Sequence, residues 1–149
     1  MKAGRLILTL LLASSVAVVQ LAAQQTKADQ KPIEEVKAKA EAGDAESQVE
    51  LGRRYDRGEG VVKDHAKAVK WYRKAAEQNF ADAQYKFGVC YEYGRGVAED
   101  PVEAYKWLLL SARQGDEDAK AFLTVMESKM LKPEQIAEGQ KRARGFKPR

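Results

Sequence analysis

The chain has 149 residues, 44% of them hydrophobic, and carries 26 Lys and Arg against 22 Asp and Glu. That length suits one domain able to bury its own core, and so slight a charge excess does not by itself point to a nucleic-acid or acidic-surface partner. One cysteine, Cys90, and one histidine, His65, are poor material for a metal cluster or a Cys–His pair with a third member.

In chain order, residues 1–23 come first and stand apart from the domain. Lys2 and Arg5 give a positive start, Leu6 to Val19 is apolar apart from Thr9, Ser14 and Ser15, and Leu21, Ala22 and Ala23 supply small residues before Gln24. This is the pattern of a secretory signal peptide. An uncleaved anchor is the alternative, but the apolar run is short for the roughly 20 residues of a membrane span. Taking Lys2 and Arg5 away with the leader leaves 24 basic against 22 acidic residues, a net +2. Residues 24–31 are polar and read as a disordered lead-in.

From Pro32 the sequence PIEEVKAKAEAG predicts a helix ending at Gly43. Residues 45–80 are then repeated, without a gap, by residues 81–116. Gly52 falls on Gly88, Tyr55 on Tyr91, Gly58 and Gly60 on Gly94 and Gly96, Asp64 on Asp100, Trp71 on Trp107 and Ala76 on Ala112. A match this long at a fixed period marks a repeat architecture. Each unit reads as two antiparallel helices. Ser47, Leu51 and Tyr55 recur along one face of the first helix, as do Ala83, Phe87 and Tyr91 in the second unit. Gly52 and Gly88 are costly inside a helix, so close approach of the partner helix is expected there. The turns RGEGVVKD and YGRGVAED end in Asp64 and Asp100, which are expected to cap the second helices. Those helices are expected to bury Ala68, Trp71 and Ala75 in one unit and Ala104, Trp107, Leu108 and Ser111 in the other.

In the same register, residues 32–44 are a half unit, a second helix without its first. Residues 117–145 form a capping part: EDAKAFLTVMESKM is another first helix, with Thr124 in place of the glycine and no glycine turn after it, and a closing helix follows from Pro133. Terminal repeats are atypical because one side lacks a neighbour. Lys132 is a poor cap for the closing helix. The tail at 146–149 is basic, and with Lys141, Arg142 and Arg144 it reads as a solubilising helix end whose cations suit the negative end of the dipole, with contact to nucleic acid or an acidic surface as the alternative.

The residues LGxxYxxGxGV, followed by the capping Asp, KA or EA, and KW, resemble the Sel-one-like repeat family, a relative of the tetratricopeptide repeats. The likeness runs from about Pro32 to Gly145. It implies an all-α fold: a right-handed α/α superhelix of two full helix-turn-helix repeats with a preceding half repeat and a closing helix. The second copy departs from the family at Leu108, Leu109 and Leu110, where the first reads Tyr72, Arg73 and Lys74, so a more buried or partner-covered surface is expected there.

Catalysis is not expected. His65 follows the capping Asp64 and is expected at the surface, and Cys90 is expected to be a half-buried packing residue. An intermolecular disulfide is its alternative fate in an oxidising compartment. Disulfide-bearing relatives are linked to β-lactam binding or hydrolysis, but this chain has neither their cysteine pairs nor Ser-x-x-Lys or Lys-Thr-Gly. No metal or other cofactor is implied.

At about 100° per residue, the stripe of each first helix opposite the core contains Glu46, Val49, Arg53, Asp56 and Arg57; then Asp82, Tyr85, Val89, Glu92 and Tyr93; then Asp118, Ala121, Val125, Ser128 and Lys129. First helices line the concave side in tetratricopeptide-like stacks, so the resemblance implies a binding face formed by Val49, Arg53, Asp56, Tyr85, Val89, Glu92, Tyr93 and Val125. Tyr85 and Tyr93 have the alternative of packing against neighbouring helices. The expected function is a non-catalytic protein-interaction scaffold of the bacterial envelope, periplasmic or secreted. It would bind a protein or peptide segment, with no nucleic acid and no stable membrane insertion once the leader is removed. A β-lactam or cell-wall-ligand binder is the alternative, and a structural module docking through Leu108 to Leu110 is a third reading.

Overall fold

A computed structural model describes residues 32–149, and Ile33–Arg149 forms one compact unit. The leader and lead-in expected at 1–31 lie outside the described residues. Seven α-helices run through the unit in chain order: α1 Ile33–Glu41, α2 Ala45–Arg57, α3 His65–Glu77, α4 Ala81–Glu92, α5 Pro101–Arg113, α6 Glu117–Val125 and α7 Pro133–Arg144. Each packs chiefly on its neighbour in sequence, except that α7 returns onto α5. There is no strand among the described residues, and the expected α/α solenoid is the fold observed.

The capping aspartates act as their spacing predicts. Asp64 accepts from the Lys67 amide at 2.9 Å, Asp100 from the Val102 and Glu103 amides at 3.0 Å each, and Pro101 opens α5. Asp44 and Asp116 do the same for α2 and α6. Each offers an acceptor and a negative charge to amides that have no partner inside the helix.

The mid-helix glycines mark the tightest crossings. A methyl group on Gly52 would sit 2.6 Å from the Tyr72 ring, and one on Gly88 would sit 3.1 Å from the Ala104 carbonyl oxygen and 2.9 Å from Leu108. The 36-residue register thus places Tyr72 and Leu108 in one slot, each laid over a glycine of its partner helix.

A buried polar tie, absent from the sequence reading, joins one unit to the next. The Gln48 amide donates to the Ala40 carbonyl at 3.0 Å and its oxygen accepts from Gln78 at 2.8 Å. One repeat later, Gln84 donates to the Ala76 carbonyl at 3.3 Å and accepts from Gln114 at 2.8 Å. The two carbonyls lie at the C-termini of α1 and α3 and already accept the Gly43 and Asn79 amides at 3.1 and 3.0 Å, so each glutamine adds a second donor that ties the next first helix to that helix end.

The two tryptophans share a register but not their cover. Trp107 is 5% exposed, sits 5.1 Å from the Phe87 ring and is closed off by Phe146 at 5.4 Å. Trp71 packs against the cluster of Val36, Ala40 and Leu51, as Tyr55 does, yet remains half-buried. Its expected full burial is therefore corrected: it lacks an aromatic lid like Phe146, and Lys74 covers its face at 4.2 Å instead.

The C-terminal end completes the core. Phe146, just past the expected limit at 145, packs against the central cluster. The Arg149 amide donates to the Glu77 carbonyl at 2.8 Å. Arg142 bridges α7 and α5 through Glu103 at 2.8 Å. Where the glycine turn is missing, α6 continues as a π-helical turn, Met126–Met130, with Met126 fully buried. Lys132 offers no side-chain cap; its own amide donates to Gln135 at 2.9 Å. The leucine run is covered from within, because Leu108 and Leu110 are buried and only Leu109 is half-buried. The docking surface that reading required is not there.

Candidate functional site

A cleft of about 150 Å³ opens between α2 and α4, lined by Arg53, Asp56 and Arg57 on one side and Tyr85, Lys86, Val89 and Cys90 on the other. Tyr72 of α3 and Arg95 of the turn after α4 complete it. Helix stacking produces it: consecutive first helices lie side by side and their outward stripes face a shared space. Four of the sequence-predicted site residues, Arg53, Asp56, Tyr85 and Val89, come together here.

The other four fall elsewhere. Tyr93 is 56% exposed and Val125 47% exposed, both outside the cleft lining. Tyr93 meets the Phe122 ring edge-on at 6.3 Å, which begins a small apolar shelf beside the cleft. Val49 and Glu92 are buried, at 7% and 8% exposure, and do not offer their side chains to the surface. For Val49 the reason is lateral packing. A single-helix count of faces omits the neighbouring repeat, and Val49 joins the cluster formed with Ala76, Ala83 and Phe87.

Comparing the two copies position by position explains the cleft's chemistry. In the first repeat, Glu50 is held by Arg53 at 2.8 Å and Arg54 at 2.7 Å, and Arg53 also binds Glu59. Burial raises the Glu50 carboxyl, but the hydrogen bonds from the two guanidinium groups outweigh it and hold the pKa below the usual carboxylate value. In the second repeat the same four positions read Lys86, Val89, Cys90 and Arg95. Both carboxylates have become cations and both cations have become apolar. Lys86 finds Asp82 at 3.0 Å. Arg95 has no carboxylate partner among the described residues and lies 5.4 Å over the Tyr93 ring. Arg95 and Lys86 were missed in the sequence reading, although this comparison of copies was available to find them.

A second pair diverges in the same way. Asp56 holds the His65 ring nitrogen Nδ1 at 2.7 Å. One repeat on, Glu92 stands in place of Asp56 and Pro101 in place of His65, so Glu92 has lost that partner. Its Oε2 is buried with no hydrogen-bond partner. Burial first, and Glu99 second, push the carboxyl above its usual value near 4.5. The folded state therefore binds this proton more tightly than the unfolded chain. The stability tied to it is complete below pH 4.5 and is lost as the pH rises through the raised value. Glu92→Gln is expected to add roughly 1 kcal/mol at neutral pH and nothing below pH 4. Urea melts of both proteins from pH 4 to 8 check this, and curves with a constant separation would contradict it.

Cys90 lies on the cleft floor but is only 5% exposed, more buried than expected, and burial pushes its thiol up to about 12. Since the thiolate is the reactive form, native protein should react with Ellman's reagent at least ~100-fold more slowly than urea-unfolded protein. Rapid native labelling would show a reactive, accessible thiol. Among the described residues no three His, Cys, Asp or Glu side chains are grouped to hold a metal, and no helix is long and apolar enough to cross a membrane.

Tandem helical hairpins with an open cleft between successive first helices define an α/α repeat scaffold. The Sel1 repeat family model matches residues 45–80 and 81–116, the two copies described above. The chain belongs to the Sel1 repeat family, as expected, and members of it are in general protein-interaction scaffolds and typically non-catalytic. Among solved structures, a Sel1 repeat protein from Oxalobacter formigenes is 43% identical, with a TM-score of 0.59 over 60% of this chain and 67% of that one. Cysteine-rich protein B of Helicobacter pylori is 30% identical, with a TM-score of 0.59 over 61% of this chain and 68% of that one. The protective antigen c5321 of uropathogenic Escherichia coli matches 76% of this chain at 30% identity and a TM-score of 0.73. The secretory immunoglobulin A-binding protein EsiB of Escherichia coli O6:H1 (strain CFT073) is 45% identical over 42 residues, 28% of this chain. This chain spans only 24% of c5321 and 9% of EsiB.

Proposed function

We propose that this protein is a non-catalytic adaptor of the bacterial envelope, periplasmic or secreted, that binds a protein or peptide segment on the concave face lined by α2, α4 and α6. The observation that supports the reading is the cleft itself: Arg53, Asp56, Tyr85 and Val89, from two repeats, line one open space. An apolar floor with charged walls is the layout of a recognition patch, where a few anchoring contacts carry most of the affinity. Of the helices that present it, α2 and α6 are capped by Asp44 and Asp116, and α2 and α4 are anchored by the glutamine ties, so little order is lost on binding. The signal-like leader and the similarity to an immunoglobulin-binding protein and a protective antigen favour a place outside the cytoplasm.

The test is photo-crosslinking of purified protein in an envelope extract, comparing wild type with Tyr85→Ala/Val89→Ala. Adducts that vanish in the variant, with its circular dichroism unchanged, support the concave face. Adducts of equal yield reject it.

A further inference from the structure

The two copies of the repeat differ in charge at positions around the cleft between them. The first is electrically closed: Glu50 and Glu59 answer Arg53 and Arg54. The second, at the equivalent positions, presents Lys86 and Arg95 and returns no carboxylate. Of the four cations around the cleft, Arg53 is engaged by Glu50 and Glu59 and Lys86 by Asp82. Arg57 is 62% exposed and touches Glu59 only at 3.7 Å. Arg95 has no carboxylate partner among the described residues and is stacked on Tyr93. The one carboxylate of the lining, Asp56, is committed to His65 at 2.7 Å. Two guanidinium groups with spare hydrogen-bonding capacity thus flank a floor of Val89 and Tyr85. Arg95 also links the cleft to the shelf of Tyr93 and Phe122.

We propose that the segment bound in this groove is acidic: an Asp or Glu side chain of a partner polypeptide seats between Arg57 and Arg95, with a neighbouring aromatic or aliphatic side chain on the Tyr93–Phe122 shelf. The inference rests on the adaptor reading above and supplies the chemistry of its partner. A guanidinium fork matches a carboxylate in two parallel hydrogen bonds, and the half-enclosed cleft strengthens them relative to open water. A partner with a basic side chain at this point would meet Arg57, Arg95 and Lys86 at close range and be rejected by like charge. The apolar shelf separates a peptide from a nucleic acid, which offers phosphates but no aliphatic side chain to cover Phe122.

A random octapeptide display library is panned on the purified protein and on Arg57→Gln/Arg95→Gln, both checked by circular dichroism. Peptides enriched on the wild type should carry Asp or Glu next to an aromatic residue or Leu. Resynthesised with Asn or Gln for the acid, they should bind about tenfold more weakly, the effect of one charge-assisted hydrogen bond. The double variant should lose a similar factor, and added salt should weaken binding to the wild type. Enrichment of neutral or basic peptides overturns the acidic assignment; if those peptides lose affinity on Tyr85→Ala, the adaptor reading survives. The absence of enrichment over the double variant overturns the acidic assignment. Enriched peptides indifferent to all three substitutions overturn both readings. A duplex oligonucleotide that binds as tightly as the enriched peptides, and is lost in the same variant, reassigns the groove to polyanions in general.

Discussion

Gly96→Ala is expected to destabilise the protein by about 2–5 kcal/mol, against about 1–2 kcal/mol for the equivalent Gly60→Ala. Both residues have left-handed backbones, with φ of 70° and 72°, so both substitutions incur the same local strain. They differ in surroundings. A methyl group on Gly60 meets nothing within 4 Å, whereas one on Gly96 lands 2.2 Å from the His65 carbonyl oxygen and 2.8 Å from the Ala66 nitrogen. Those are backbone atoms at the start of α3, and they cannot turn aside as a flexible side chain can. The turn of the second repeat is wedged onto the first helical turn of α3, so relief requires the two repeats to part. Equilibrium urea unfolding of the two variants measures the difference. Equal losses would mean that the glycine turn answers only to its own dihedral angles.

Trp107→Ala is expected to cost about 3–5 kcal/mol, the range for emptying a large buried aromatic site. Trp71→Ala should cost about half as much, since a half-buried indole gives up less contact and less area. Trp107 is held between Phe87 and Phe146, so its removal opens a cavity that α7 must collapse to fill. Its indole N–H is buried without a hydrogen-bond partner. Trp107→Phe should therefore recover most of the loss, by keeping the ring and discarding an unsatisfied donor. If the Phe variant were as unstable as the Ala variant, the indole would be contributing through its polar edge rather than its packing.

The glycine pairs, the capping aspartates and the shared tryptophan register were legible because each answers to a local rule. A helix must start, stop and cross its partner with particular residue types, and two copies in register state the rule twice. The site was only partly legible. Arg53, Asp56, Tyr85 and Val89 follow from helical periodicity, which reports the face a side chain occupies on its own helix. Val49 and Glu92 lie on the same helical face and are nevertheless buried. For Val49 the cause is the next repeat, whose Ala83 and Phe87 join its cluster, and a projection of one helix contains no neighbour. Arg95 sits in a turn, where periodicity says nothing.

The sequence by itself determined the hairpin unit, its period and its family, since these depend on interactions within about 36 residues that the chain repeats. Only the tertiary structure decided which stripe residues face open space, that the leucine run is covered from within, and that Arg95 has no carboxylate partner among the described residues. Burial and charge balance are sums over every surrounding side chain, and residues 30 or more positions apart in sequence contribute to them as strongly as neighbours, as the Gln84–Gln114 bond shows.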